Sequence, residues 1–337
     1  MQNFFHPPLL FISIVPEAGS LDTLEAPIPI LESPVPGENS SPAQLVEALH
    51  TTFGNHHARA VHAKGIVLEG NFYPDPGASS ITTAFHLQNE KSRVTVRFSD
   101  FTGIPDIPDN IGAANPRGLS IKFIMPDGET TDIVGHSFNG FPTSDSDRFR
   151  ELLLAIAASG PGATAPTALD SFLGEHPVAK TFLTTQKLPA SYATISYFGV
   201  NSFRFTNKAG ISHIIRYQFI PEGGEMLLTP DQYDKAGPQY LMNEIRERVS
   251  VQPVRFKMLA EIAEATDLIE DPSIAFPEGR EKILLGYLEI KSLTANTPEE
   301  DKALYFTPNN IPIGIEPADP MINFRSRAYP ISVQERQ

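Results

Sequence analysis

Cysteine is absent from this sequence of 337 residues. The chain therefore cannot form a disulfide, a thiolate metal site or an iron–sulfur cluster, and it cannot use a cysteine nucleophile. Positive charge is also scarce, because 26 Lys and Arg residues stand against 40 Asp and Glu residues and the net charge is -14. Proteins that bind phosphate backbones need the opposite balance, so the composition excludes nucleic acid as a partner.

Long hydrophobic runs are missing as well. The longest run near the N-terminus extends from Leu9 to Val15 and is interrupted by Ser13, whereas a membrane span needs about 20 apolar residues. No Lys or Arg precedes Arg59, so the basic segment that opens a signal peptide is lacking. We therefore expect a protein with no membrane span and a cytoplasmic location.

Residues 1–40 differ in composition from the rest of the chain. They are acidic, contain no basic residue and are rich in proline, which keeps a backbone extended and blocks helix formation. We predict an N-terminal arm over residues 1–40 and a single folded domain over residues 41–337. The domain should open with a helix, because Ser41, Pro42 and Gln44 form the pattern of a capping box with proline in the first turn.

Beyond Gly54 the pattern changes to period-two alternation and β-branched runs, which are typical of strands. The predicted strands cover residues 61–73, 81–88, 93–99, 118–125, 130–137, 195–206 and 211–220, with two further apolar runs at 251–260 and 283–290. Helices are expected at 145–158, with Ser144 as the cap, and at 167–174, 238–249 and 298–305. Short hairpins interrupted by helices predict an α+β fold, an antiparallel β-barrel of about eight strands with inserted and C-terminal helices.

Two groups of polar residues are weak signals when each is taken alone. His62 lies in a strand-like run, where an imidazole is usually a hydrogen-bonded core residue. Near the C-terminus, Arg325, Tyr329 and Arg336 would share one face of a helix. Pro330 should disturb that helix, because it removes one backbone hydrogen bond.

Several segments become informative when they are taken in order. Residues 59–65, RAVHAKG, resemble the haem catalase segment R-V-V-H-A-K-G. Residues 96–99, VRFS, and 115–123, NPRGLSIKF, resemble the catalase segments V-R-F-S and D-P-R-G-F-A-V-K-F. Residues 314–330, GIEPADPMINFRSRAYP, follow the pattern G-I-E-P, P-D-x-M and R-x-x-x-Y-P, and Arg336 lies seven residues after the tyrosine. The chain thus resembles the haem catalases, and its length resembles the small catalase-related peroxidase branch, which has no C-terminal helical domain.

The resemblance implies a role for each matched residue. It makes Tyr329 the proximal haem ligand, with Arg325 hydrogen-bonded to the phenolate, and it makes His62 the distal acid–base residue, with an ordinary histidine pKa. Ser99 would orient His62. Because Ser99 follows Arg97 by two positions, both side chains should point to one face of a strand. The same resemblance implies haem b as the cofactor, with Arg59, Arg97 and Arg336 at its propionates and Val61, Phe141 and Met321 among its other contacts.

One position departs from the family pattern. Catalases carry Gly-Asn-Asn where this chain has Gly135-His136-Ser137, so His136 stands in place of the asparagine that helps to hold peroxide. We count His136 among the catalytic residues and expect dismutation of hydrogen peroxide to be weak or absent. With less chain around the haem, organic hydroperoxides are expected as oxidants beside hydrogen peroxide. The predicted activity is that of a haem peroxidase with an unidentified electron donor, and a homodimer is the candidate assembly.

Two other functions stay open on the sequence. One is a fatty-acid hydroperoxide isomerase or lyase of the allene oxide synthase type, a branch of the same superfamily. That branch has Thr before the distal histidine, whereas this chain has Val61, as catalases do, which favours peroxidase chemistry. The other is a barrel that carries haem or a lipid without turnover. His62→Ala should leave such a carrier unaffected and abolish the turnover of a peroxidase.

Overall fold

The computed structural model describes residues 39–295 and 298–336, and its centre is a closed antiparallel barrel. Strands β1 to β8 comprise Gly65–Pro74, Ser92–Ser99, Gly118–Ile124, Thr130–His136, Tyr197–Thr206, Ser212–Pro221, Val254–Ile262 and Lys282–Leu293. They pair in the order β4-β3-β2-β1-β8-β7-β6-β5, and an additional pairing of β4 with β5 closes the barrel. A short strand β9, Ile315–Pro317, also pairs with β5. The predicted α+β barrel of about eight strands is confirmed.

Alternating side chains fill the interior of the barrel. On β7, Val254, Phe256 and Met258 are buried, while Arg255 and Lys257 between them are exposed, as the two-residue period of a strand requires. Apolar side chains from the other strands complete one continuous core. Burial of this apolar surface is the dominant favourable term in folding, so the barrel is a firm frame for the residues at its rim.

Helices α1 to α8 surround this frame. They comprise Pro42–Phe53, Ser146–Ala157, Ala168–Glu175, Pro177–Thr184, Pro230–Lys235, Tyr240–Val251, Pro298–Ala303 and Pro320–Glu335. Helix α1 contacts both α2 and α8, and the three bury a second apolar cluster that includes Leu45, Leu49, Leu152 and Phe324. This second cluster forms one wall of the cavity described below.

The segment around His62 is not the predicted strand. His62 has a left-handed backbone with a φ of 58°, which a strand does not accommodate, and β1 begins only at Gly65. The His62 N–H donates to the Phe101 carbonyl at 2.8 Å, and the His62 carbonyl accepts from Arg97 Nη1 at 2.8 Å. Such a conformation costs about 1–2 kcal/mol, so these contacts hold the turn against an intrinsic preference for other backbone angles.

The predicted helix caps are partly correct. Ser41 and Gln44 form the expected capping box at the start of α1. The cap of α2 is Asp145 and not Ser144, because the Asp145 carboxylate accepts the Arg148 N–H at 2.9 Å. A carboxylate here also interacts favourably with the helix dipole.

Four further elements differ from the prediction. Residues 81–88 contain a 3-10 turn, Phe85–Leu87, and no strand, because Ile81, Ala84 and Leu87 are buried at every third position, the period of a 3-10 helix. Helices α4 and α5 were not predicted. Helix α8 continues through Pro330, so the missing hydrogen bond does not end it.

Within residues 39–295 and 298–336, no helix combines the length and the apolar character that crossing a bilayer would need. The predicted arm lies outside the described residues apart from Asn39 and Ser40. The backbone N–H groups of these two residues each donate to the Asp147 carboxylate at 2.7 Å. This contact ties the start of the described chain to the first turn of α2.

Candidate active site

An open cavity lies between the barrel and helices α1, α2 and α8. All the residues that the sequence assigned to the site line it: Arg59, Val61, His62, Arg97, Ser99, His136, Phe141, Met321, Arg325, Tyr329 and Arg336. Apolar side chains form much of the remaining wall, including Leu45, Val46 and Leu49 of α1 and Val134 and Val200 of the barrel. The fold therefore brings distant parts of the sequence together around one largely apolar space.

His62 and Ser99 form a hydrogen-bonded pair on one side of the cavity. Ser99 Oγ lies 3.0 Å from His62 Nδ1, and the His62 ring packs edge-on against Phe101 with centroids 5.5 Å apart. Arg97, two positions before Ser99, contacts the carbonyl of the same histidine, so the prediction that both side chains share one strand face is confirmed. A Cβ at Gly118 would collide with Ser99 Oγ and lie 2.8 Å from His62 Nδ1, so only glycine leaves room for the pair.

The electrostatic environment of His62 differs from the expectation of an ordinary pKa. Burial, together with smaller contributions from the neighbouring His136 and Arg97, lowers the pKa of His62 to about 3. A backbone hydrogen bond at Asp100 opposes this effect only in part. The ring is therefore neutral at physiological pH, and the expectation of a pKa near 6.5 is wrong because it took no account of the desolvation of a ring that lines a largely apolar cavity.

His136 lies where the barrel closes, opposite Phe198 in the pairing of β4 with β5. Its Nδ1 accepts the Phe138 N–H at 3.3 Å, and burial, with a smaller contribution from Arg325, lowers its pKa to about 3. A neutral imidazole whose Nδ1 accepts must carry its hydrogen on Nε2. That buried Nε2 has no hydrogen-bond partner among the described residues, so the ring presents an unused N–H donor.

Tyr329 lies on α8, on another wall of the cavity, and Arg325 lies one helical turn before it. Arg325 Nη2 donates to the Tyr329 hydroxyl at 2.7 Å, as the resemblance implied. The other end of the guanidinium donates from Nη1 to the Asn201 amide oxygen. The Tyr329 hydroxyl is therefore held by Arg325, and the Arg325 guanidinium is held in turn by Asn201.

A buried chain of polar groups continues from Arg325 to the start of α8. Asn201 Nδ2 donates to Asp319 Oδ2 at 2.6 Å, and Asp319 Oδ1 accepts the Met321 N–H at 2.8 Å as the N-cap of the helix. Burial raises the pKa of Asp319 to about 6, although the hydrogen bond from Asn201 opposes the shift. No role for Asn201 or Asp319 follows from the sequence, although an aspartate followed by Pro320 is a signal for a helix N-terminus.

Arg59, Arg97 and Arg336 converge on a third part of the cavity. They are close enough to influence one another, because burial lowers the pKa of Arg59 to about 8 and the charges of Arg97 and Arg336 contribute to the shift. Asp301 is the carboxylate that pairs with Arg59 and Arg97. The three guanidiniums therefore carry more positive charge than this single acid neutralises.

The residues of the cavity fit haem. A phenol can serve as an axial iron ligand, the apolar walls suit the porphyrin faces, and guanidiniums pair well with carboxylates such as propionates. The unpartnered donor of His136 belongs to the same lining. Tyr329 would hold the iron, while the three arginines would hold the propionates.

Comparisons with known proteins agree with this fit. The family model for catalase matches residues 44–337. A catalase-related peroxidase of Mycolicibacterium paratuberculosis is 32% identical over 302 residues, which cover 88% of this chain and 95% of that protein. A catalase-related peroxidase of Synechococcus elongatus is 31% identical over 305 residues, which cover 88% of each chain. Among solved structures, a fungal catalase matches with a TM-score of 0.73 at 19% identity, over 83% of this chain and 59% of that one.

The chain therefore belongs to the catalase family, as its sequence motifs predicted. The similarity to the fungal catalase concerns the fold alone, and the chain spans 59% of the length of that protein. It spans 95% and 88% of the two related peroxidases.

Proposed function

We propose that this chain is a haem-dependent peroxidase that reduces hydrogen peroxide or organic hydroperoxides and has weak or no catalase activity. As a member of the catalase family it is an oxidoreductase that acts on peroxide. Haem, when bound, would supply the iron at which the O–O bond is cleaved, and an external donor would supply two electrons with two protons, giving water and, from an organic hydroperoxide, an alcohol. The observation that carries the proposal is that the Ser99–His62 pair and the Arg325–Tyr329 pair line the same cavity.

Tyr329 is the proposed iron ligand. An iron-bound tyrosine binds as the phenolate, so its negative oxygen needs stabilisation. Arg325 provides a positive charge and a hydrogen bond at 2.7 Å, both of which favour the ionised oxygen. Asn201 and Asp319 hold Arg325 in this position, so they support the ligand indirectly.

His62 is the proposed acid–base residue. The contact with Ser99 anchors Nδ1 and leaves Nε2 to take the proton from an incoming hydroperoxide and return it to the leaving oxygen. The low pKa of the ring keeps it neutral, so the Nε2 lone pair is free when the hydroperoxide arrives. The same low pKa makes the protonated ring a strong acid toward the leaving oxygen.

His136 has a different proposed role, although it is the same residue type. Because its Nδ1 accepts the Phe138 N–H, its free Nε2–H can donate to a bound peroxide but cannot take a proton from it. An imidazole is also larger than the asparagine amide of catalases. We therefore assign to His136 a role in holding the peroxide and expect it to crowd a second molecule of hydrogen peroxide, which dismutation requires.

Several finer assignments belong to the same proposal. The apolar wall of Leu45, Val46 and Leu49 suits the alkyl part of an organic hydroperoxide. Haem b is the proposed form of the cofactor, with Val61, Phe141 and other cavity residues against it. We also propose a cytoplasmic location, a homodimeric assembly and a division into an arm over residues 1–40 and a domain over residues 41–337.

The experiment that tests this function compares two reactions of the haem-loaded protein. Dioxygen release and oxidation of a reducing dye are measured with hydrogen peroxide and with cumene hydroperoxide. Dye oxidation should dominate, and His62→Ala should lower it by about 10²-fold or more without loss of haem. His213→Ala, on β6 and outside the cavity lining, is the matched control and should leave the rate unchanged.

Three results would contradict the proposal. Dominant release of dioxygen from hydrogen peroxide would identify a true catalase. Rearranged product from a fatty-acid hydroperoxide, formed without any reductant, would identify the isomerase alternative. A His62→Ala variant with the full wild-type rate would show that His62 is not the acid–base residue.

A further inference from the structure

Two arginines of the cavity, Arg59 and Arg97, share one carboxylate, that of Asp301 in α7. Asp301 Oδ1 accepts from Arg97 Nε at 2.9 Å, and Oδ2 accepts from Arg59 Nη1 at 3.0 Å. Arg336 donates to the backbone carbonyls of the next turn, at positions 302 and 304, over 3.1 and 2.9 Å. One short segment of chain therefore contacts all three guanidiniums.

Each of these guanidiniums also has hydrogen-bond acceptors other than the Asp301 side chain. Arg97 also donates to the carbonyls of His62 and Ala63, at 2.8 and 2.9 Å. Arg59 also donates to the backbone carbonyls of residues 301 and 304, at 2.8 and 2.6 Å. Because each arginine keeps two backbone acceptors, removal of the carboxylate would leave all three in place. What the Asp301 side chain adds is negative charge.

That charge is present at neutral pH. Burial tends to raise the pKa of Asp301, but Arg97 and Arg59 outweigh it and hold the pKa below its usual value. Among the described side chains, the three guanidiniums and this one carboxylate leave two positive charges that no carboxylate pairs with. Two is also the number of carboxylates that the propionates of one haem supply.

We propose that Asp301 is a resident counter-ion of the propionate site, which stabilises the arginine cluster before haem enters and lowers the affinity of the site for haem. The inference rests on the proposed function, because it takes haem as the dicarboxylate that the cavity binds. Its direction follows from Coulomb's law, since a fixed carboxylate repels incoming propionates. Without haem, the same carboxylate relieves repulsion among three buried cations.

The test uses variants that separate charge from shape. Asp301→Asn removes the charge at nearly constant size, whereas Asp301→Glu keeps it. Asp231→Asn is the control, because it removes one negative charge from an exposed pair with Lys235, outside the cavity lining. Haem release to excess apomyoglobin and thermal unfolding, with and without haem, are measured on the full chain.

Asp301→Asn should release haem about tenfold more slowly than the wild type, the effect of one neighbouring charge in a partly solvated site. Its haem-free form should unfold at a lower temperature than the haem-free wild type, and haem should raise its Tm by more. Asp301→Glu and Asp231→Asn should behave as the wild type. With haem dimethyl ester, which lacks the propionate charges, the difference in release should disappear.

Release from Asp301→Asn at the wild-type rate or faster would overturn the inference. So would a difference that persists with the dimethyl ester, because the effect would then not involve the propionates. If the wild type takes up no haem at all, the proposed function fails, and the haem-free unfolding temperatures decide the counter-ion role by themselves. An unchanged Tm in Asp301→Asn then refutes that role.

Discussion

Replacing His86 by leucine should remove a defined part of the protein's sensitivity to acid. His86 is fully buried, and its ring lies against Phe85 and Phe123 with centroids 5.7 and 4.8 Å away. Neither ring nitrogen has a hydrogen-bond partner among the described residues. Burial lowers the pKa of His86 to about 3, so the folded protein excludes the charged ring.

The sign and size of the effect follow from linkage. The folded pKa lies below the ordinary value near 6.5, so the unfolded chain binds a proton that the folded chain does not. Stability is therefore full above pH 6.5 and falls as the pH decreases from 6.5 toward 3. At pH 5 the loss from this one residue is about 2 kcal/mol, a large fraction of a typical folding free energy.

The assay is urea unfolding of the wild type and of His86→Leu at pH 7.5 and at pH 5. The variant should lose about 2 kcal/mol less stability between these pH values than the wild type. His62 and His136 also have a low pKa, but they are present in both proteins and cancel in the comparison. His213→Leu should show the wild-type loss. An equal loss in His86→Leu would refute the reasoning, because the buried ring would then not be the source of acid sensitivity.

Three further changes test the site. Gly118→Ala should reduce turnover by about tenfold or more, because its Cβ would displace Ser99 and His62. Haem should stay bound. Steady-state rates measure the turnover, and the Soret band measures the bound haem. His136→Asn should raise dioxygen release relative to dye oxidation. An unchanged ratio would contradict the proposal that His136 crowds a second molecule of hydrogen peroxide. Asn201→Leu should shift the haem absorption spectrum, since it removes one acceptor of the guanidinium that holds the phenol; an unchanged spectrum would contradict the indirect role.

Local patterns predicted much of the barrel. The alternation along β7 and the capping box at Ser41 and Gln44 depend on neighbouring residues, so both were visible in the sequence. The turn at His62 was not visible, because distant residues hold it through Arg97 and Phe101. The local alternation therefore predicted a strand that includes His62, whereas the structure has a turn there.

In the candidate site, too, local motifs were visible in the sequence and contacts between distant residues were not. Family motifs brought the lining residues together, but they did not reveal Asn201, which lies where the register of β5 shifts between Gly199 and Phe203. Its partner Arg325 is 124 positions away in sequence, and no spacing rule connects them. The low pKa of His62 was also missed, because burial is a property of the fold and not of the motif.

The most direct measurement of the central claim is the absorption spectrum of the haem-supplemented protein beside Tyr329→Phe. Tyr305→Phe is the matched control, because Tyr305 lines the same cavity and has no assigned role as a ligand. The wild type and the control should share a Soret band with high-spin ferric features, and Tyr329→Phe should lose or shift it. If all three proteins bind haem with the same spectrum, or none binds it, tyrosine ligation at position 329 is contradicted.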